Sequence, residues 1–425
     1  MDVILFRVCC DGMAMPVDLP GLDSPEAVPE PPRAIVWLGT FVVVMFAGGM
    51  IALLTWLRGE PTDTLWFWVR LFVFPALLWC TLFGLRLHYY DEEMQRLQAE
   101  REVRATDRDA ALLFGSEPLA VLGYAYLTAL GCEDIAGKIV DGESVLNART
   151  SLDGVDAVRH TALTLEAADM LSRYRACFDA LLERIGNAVT AIPHTVPFNV
   201  RLHLPGDGDR ESLLAAWDTC WAEKKLRAIT AEPLDVDQGA MALDEWLDIH
   251  GGSALEKVTL YVSVQLHEHP SQSSAEAAVC VLLAWAPLAE RCTLKSQALL
   301  HRPVETGIAG LRTGISRVLL WGKTTSAEIK DLWQTGLPRT YKGELIRVAS
   351  EMSLGVAKTV GFPGVHDIDR AIGFPGVCAG WLAIALGIER AAQTGEPQLI
   401  AWHEATVKFA VANGPCRQDD MVVKV

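Results

Sequence analysis

The residues that could do chemistry are few and scattered. Cys280 and Cys378 are the candidate nucleophiles. A thiol acts as a nucleophile when a base or a cation stabilises its thiolate. Cys280 stands in Ala278-Val279-Cys280-Val281, an apolar strand, where a cysteine is ordinarily a small buried hydrophobe. Asp218-Thr219-Cys220 sits between Trp217 and Trp221 in the middle of an expected helix. His267-Glu268-His269 places two imidazoles on one face of a strand end, and His203 is a further candidate. A zinc site needs a third and usually a fourth ligand at characteristic spacing, and nothing marks them, so neither a metal nor another cofactor is expected. His366-Asp367-Ile368-Asp369 reads as a polar turn. Gly361-Phe362-Pro363-Gly364-Val365 returns as Gly373-Phe374-Pro375-Gly376-Val377, twelve residues on. Proline removes an amide from each copy, so the pair reads as structural turns rather than as a phosphate cradle.

The elements that must position these residues alternate. Strands are expected at Val121–Tyr126, Phe198–Leu204, Val258–Leu266, Ala277–Leu283, Ser296–Leu300, Arg317–Leu320, Gln398–Trp402 and Thr406–Val411. Helices are expected over Leu163–Ile185, Ser212–Arg227, Leu243–Ile249, Gly307–Ile315, Thr325–Trp333, Leu345–Leu354 and Gly380–Gln393. Such alternation indicates a layered α/β fold. The helix over Gly380–Gln393 is apolar almost all round until Glu389, and small residues keep it narrow. A helix of that kind is buried on every side.

Ahead of this body lie two longer apolar runs. Residues 34–57 carry no charge, and residues 64–87 carry only Arg70 and Arg86, near the two ends. A helical span takes about 20 apolar residues, so each run is long enough. Trp37, Trp56, Trp66, Trp68, Tyr89 and Tyr90 fall near the ends, where interfacial aromatics belong. Gly39, Gly48, Gly49 and Ala52 offer a surface for close helix approach. The reading is a tail over 1–33, disordered and rich in Pro and acid, a transmembrane hairpin over 34–87, a helical stalk or linker over 88–111, and one domain over 112–425.

Charge narrows the class further. The 425 residues carry −16; five Arg against eight Asp and Glu put −3 on residues 1–90, leaving −13 on the remainder. An acidic body without a basic run argues against nucleic acid as a partner. Arg86, Arg96, Arg101, Arg104 and Arg108 follow the second run, Arg7 and Arg33 precede the first, and the loop between offers Arg58 alone. That bias places both termini in the cytoplasm. The ten cysteines include no Cys-x-x-Cys pair, consistent with reduced thiols on that side.

The C-terminal hundred residues resemble the end of a thiolase-like or β-ketoacyl synthase-like domain. Thr335-Gly336-Leu337-Pro338 resembles the Thr-Gly-Thr-Pro that follows the first catalytic histidine of such a synthase. Ile372-Gly373-Phe374-Pro375-Gly376-Val377-Cys378-Ala379-Gly380 resembles the Ile-Gly-His segment that carries the second histidine into a buried helix. The strands at Gln398–Trp402 and Thr406–Val411 resemble the closing hairpin. Ser274–Leu283 and Thr293–His301 resemble the strands at the junction of the two halves.

The resemblance implies a layered α/β/α/β/α body behind a transmembrane helical hairpin. In its register Trp333 and Phe374 replace the two histidines, and Asp369 replaces the lysine five residues before the second. No Asp-x-Ala-Cys-Ser segment occurs. Condensation needs a thiolate and polarising groups at the oxyanion, and neither indole nor phenyl can do an imidazole's work. The expected function is a non-catalytic interaction protein at the bacterial inner membrane, its body cytoplasmic. The implied partners are a second copy or a related thiolase-like chain, and a secreted effector of the type VI kind, for which the chain would serve as accessory or adaptor. The alternative is a membrane-bound acyltransferase or condensing enzyme with a rearranged site using Cys280, Cys378 or a histidine near 366.

Overall fold

The computed structural model describes residues 29–56, 61–146, 148–150, 157–165, 167, 169–206 and 209–415. Most of the expected tail (1–28) and part of the loop between the apolar runs (57–60) lie outside the described residues. The chain forms two compact units, one spanning 18–112 and one beginning at Leu113.

The first unit is a pair of helices, α1 (Ala34–Leu54) and the N-terminal part of α2 (Leu65–Gly115). Both are long and apolar enough to cross a membrane. Many of their large side chains face outward: Ile35 is 86% exposed and Leu54 78%. Where the helices touch, the contact is close. A Cβ on Gly48 would stand 2.3 Å from Pro75 Cγ, whereas one on Gly39 would meet nothing within 4 Å. Trp79 Nε1 donates to Trp37 O at 3.0 Å, and the Trp37 and Phe41 rings pack on Phe83 and Trp79. Pro75 has no N–H, and its ring crowds the carbonyl one turn back. The helix widens just before it into a π turn over Val69–Val73, with Phe74 N–H donating to Val69 O. Past Leu87 the helix continues unbroken, with Arg96 paired to Glu100 one turn on.

The second unit is a duplicated sheet. Its N-terminal half holds β1 (Leu119–Leu127), β2 (Phe198–His203), β3 (Glu232–Leu234), β4 (Val258–Gln265) and β5 (Ala277–Trp285). Its C-terminal half holds β6 (Ala298–Leu300), β7 (Asp331–Thr335), β8 (Val365–Asp367), β9 (Gln398–His403) and β10 (Val407–Asn413). The strands run β8-β7-β9-β10-β6-β1-β5-β4-β2-β3, with Val304–Thr306 beside β10. Counted within its own half, each set lies in the order third, second, fourth, fifth, first. In each the fifth strand is antiparallel to both neighbours, while the second, third and fourth are parallel. β1 and β6 meet antiparallel at the centre.

Helices α3 (Met170–Thr190) and α4 (Arg210–Glu223) cover one face of the N-terminal half, burying Phe178, Leu181, Trp217 and Trp221 against Val200, Leu260 and Leu282. Helices α6 (Leu311–Trp321) and α7 (Arg339–Glu351) pack together, and α6 lies on β10. Helix α8 (Ala379–Thr394) lies between the halves, on β7, β9 and β10 of its own half and on β1 and β5 of the other. The layers are therefore α/β/α/β/α.

α8 is buried from Ala379 through Glu389, and Gly395 closes it in the left-handed conformation, φ +72°. A Cβ on Gly387 would stand 2.6 Å from Ile400 Cδ1, so the helix can seat this deeply only because it is narrow there. Glu389 is tolerated because Tyr126 OH donates to one carboxylate oxygen at 2.5 Å and Ala136 N–H to the other at 2.8 Å.

Two expected elements change type. Arg317–Leu320, read as a strand, belongs to α6, which uses Ile315, Val318 and Leu319 at helical spacing against the sheet. The helix expected over Thr325–Trp333 is a single 3₁₀ turn at Ser326–Glu328 followed by β7, so Trp333 sits on a strand. The turn carries its own reciprocal cap: Glu328 accepts from Thr325 N–H at 2.7 Å. That cap holds one turn, and the sheet takes the rest. The first apolar helix stops at Leu54, three residues short of the run.

Candidate functional site

One cluster of polar groups lies at the N-terminus of α8, where both halves contribute. Lys408 on β10 donates to Glu404 Oε2 at 2.7 Å. The carboxylate lies against two glycines. A Cβ on Gly239, before the short helix α5 (Ala242–Leu247), would stand 2.8 Å from Glu404 Oε2, and one on Gly380 would stand 3.3 Å from Oε1. His203, at the end of β2, contributes Nε2 to Val236 O at 3.2 Å. Burial depresses its pKa, with Glu404 opposing and Lys408 assisting, so the ring is held neutral. His203 Nδ1, Trp402 Nε1 and Glu404 Oε1 have no hydrogen-bond partner among the described residues. The cluster can hold a proton and a charge pair. It brings no thiol into contact with the imidazole.

The residues predicted from sequence fall elsewhere. Trp333 is fully buried, donates Nε1–H to Gln398 Oε1 at 3.0 Å, and packs on the His366 ring at 4.5 Å. His366 is itself tied to Asp331 at 2.8 Å, so it is not open to a substrate. Phe374 is 40% exposed, not sealed inside; its backbone is clamped, N–H to Ser273 O at 2.7 Å and O to Ala275 N–H at 2.8 Å. Asp369 accepts from Thr335 Oγ1 at 2.7 Å and Gly336 N–H at 2.8 Å, and so fixes the turn after β7. Burial raises its pKa, and the Thr335 bond and Lys342 work against that shift.

Both candidate thiols are fully enclosed. Cys280 is enclosed in β5, and burial pushes its pKa up to about 12. Cys378 donates to Ala277 O at 3.3 Å and is likewise pushed up to about 12 by burial. Neither has a histidine within hydrogen-bond reach. Cys220 is buried mid-helix, as its tryptophan neighbours implied. His267 meets His160 edge-on at 5.6 Å, while His203 lies in the α8 cluster. In the repeated turns, Gly361 and Gly373 both take positive φ, +88° and +96°. A Cβ on Gly373 would stand 2.6 Å from Ser274 O, which makes that turn a packing device.

In sequence comparison no protein-family model and no curated protein matches the chain. Solved structures do. A ketosynthase domain of Streptomyces albus JA3453 (OzmH KS8, oxazolomycin) superposes with a TM-score of 0.50 at 12% identity, covering 71% of this chain and 96% of that one. A type II polyketide ketosynthase in complex with its acyl-carrier protein (AntDE:AntF) gives 0.51 at 10% identity, over 70% and 99%. Ketosynthase twelve of the bacillaene synthase of Bacillus amyloliquefaciens gives 0.50 at 12%, over 72% and 76%. The body has a ketosynthase-like fold. The likeness at this identity is one of fold alone.

Sequence reasoning missed the Glu404–Lys408–His203 cluster. Glu404 and Lys408 lie four residues apart, His203 lies about two hundred residues before them, and the three belong to no motif. The one local signal was a lysine at alternate spacing inside an apolar strand, Val407-Lys408-Phe409, which must find a carboxylate to be buried.

Proposed function

We propose that this chain is a membrane-anchored interaction protein that uses a ketosynthase-like body without performing condensation. The observation that carries the reading is Trp333. In the register of the resemblance it takes a catalytic imidazole's seat, and its indole is fully buried and spends its only donor on Gln398. The two enclosed thiols support the same reading. α1 and α2 supply the anchor, with the body on the cytoplasmic face of a bacterial inner membrane by the arginine bias. The partner is a second copy or a related thiolase-like chain, and the cargo is a secreted effector of the type VI kind, both taken from the sequence resemblance.

A membrane-bound condensing or acyl-transfer enzyme is the second reading, favoured by the fold shared with ketosynthases. Affinity capture of the full chain from detergent-solubilised membranes, followed by mass spectrometry, separates them. Recovery of a thiolase-like chain or a secreted toxin supports the adaptor. Recovery of acyl-carrier protein alone supports the enzyme.

A further inference from the structure

The two halves of the body differ in what joins their third strand to their fourth. In the C-terminal half, β8 reaches β9 through the 16-residue helix α8. In the N-terminal half, β3 reaches β4 through one 3₁₀ turn and the six-residue α5. The shorter helix leaves a cavity of about 140 Å³ between α5 and the sheet. Arg201, Thr259 and Tyr261 line the sheet side; β2 pairs with β4 so that Arg201 lies opposite Tyr261 and Asn199 opposite Thr259. Trp246 and Ile249 line the helical side.

The polar groups of this cavity are arranged unevenly. Thr259 is 1% exposed, and its hydroxyl has no partner among the described residues. An unpaired buried hydroxyl is costly unless something meets it. Half-buried Lys257 lies over the Trp246 ring, 5.6 Å from its centroid, with no carboxylate paired to it among the described residues. The cavity's one carboxylate, Glu245, is already engaged by Gln238, and Arg201 by Glu232. Tyr261 is fixed by stacking on Trp381, 4.7 Å between centroids. What remains free is one cation, one buried hydroxyl and an apolar wall.

We infer that this cavity is a binding site for a small organic monocarboxylate, its carboxylate on Lys257 and Thr259 and its apolar body against Trp246, Tyr261 and Ile249. A cavity of about this volume holds a benzene-sized molecule, which bounds the ligand to a short-chain or single-ring acid. The proposal does not depend on whether the body is catalytically silent.

The test is titration of the full chain in lipid nanodiscs with benzoate, read by ligand-observed NMR, with benzamide as the uncharged isostere. Saturable benzoate binding is expected, with benzamide weaker by about tenfold or more. Lys257→Met should weaken benzoate by a similar factor and Thr259→Val by less. Ala242→Leu, which fills the cavity from α5, should abolish binding while the melting temperature holds. Equal binding of benzoate and benzamide, no saturable binding, or benzoate binding that survives both Lys257→Met and Ala242→Leu would overturn the proposal.

Discussion

Lys408 and Glu404 form an ion pair of 2.7 Å at the foot of the central helix, with the lysine side chain 4% exposed and the carboxylate 22%. Charges this enclosed cost more to separate than to remove together. Lys408→Met and Glu404→Gln should each destabilise the body by about 2–4 kcal/mol, and the double variant by clearly less than their sum. Denaturant unfolding of the four members of this cycle checks it. Strict additivity would mean that the pair does not act as a unit.

The same carboxylate explains two glycines. Gly380→Ala would bring a Cβ within 2.8 Å of Trp402 Nε1 and 3.3 Å of Glu404 Oε1. The expected loss is about 1–3 kcal/mol, the usual cost of overpacking. Gly343→Ala, on α7 with nothing within 4 Å, serves as the control and should be neutral or mildly stabilising.

The helix pair makes a sharper contrast. Gly48→Leu must displace Pro75, whereas Gly39→Leu enters open space. The first should lower the melting temperature of the pair in detergent or lipid and increase proteolysis of the loop between the helices. The second should do neither. Equal effects would contradict the packing of α1 on α2.

His301 supplies a pH signature. Burial, assisted by Lys323, lowers its pKa from the ordinary 6.5 to about 4, and Asn413 Nδ2 lies 3.0 Å from its Nε2. Above pH 6.5 the ring is neutral in both folded and unfolded chain, so it contributes no slope. Between 6.5 and about 4 only the unfolded chain takes up the proton, so stability falls as pH falls. Relative to a His301→Gln variant, the wild type should lose about 3 kcal/mol across that window. Parallel unfolding curves for the two proteins between pH 7 and 4 would contradict it.

What could be read before the structure was known follows from how local each signal was. α8 was legible because its burial is written along it: ten successive residues, Ala379–Ile388, carry no charge before Glu389, and Gly395 stands at the position that takes positive φ. β5 was legible as an unbroken apolar run, and β4 as a run of β-branched and apolar residues broken only by Thr259, Ser263 and Gln265; both are buried along nearly their whole length. β7 was not. Its five residues are mixed in character and follow a capped turn, and only pairing with β8 and β9 makes them a strand. The run at Arg317–Leu320 was misread because Val318, Leu319 and Leu320 suit either period, and the contact with β10 decided it. The α8 cluster was invisible for a different reason: His203, Gly239 and Glu404 come together only when the two halves close on one helix.

The central claim is that no residue of this ketosynthase-like body carries an acyl group. The full chain, folded in lipid nanodiscs, is incubated with an acyl thioester and mapped by peptide mass spectrometry. The account predicts that Cys280 and Cys378 stay unlabelled until denaturant opens the body, and that Trp333→His with Phe374→His does not change this. Stoichiometric acylation of either thiol in the folded protein, discharged by a malonyl thioester, would contradict it.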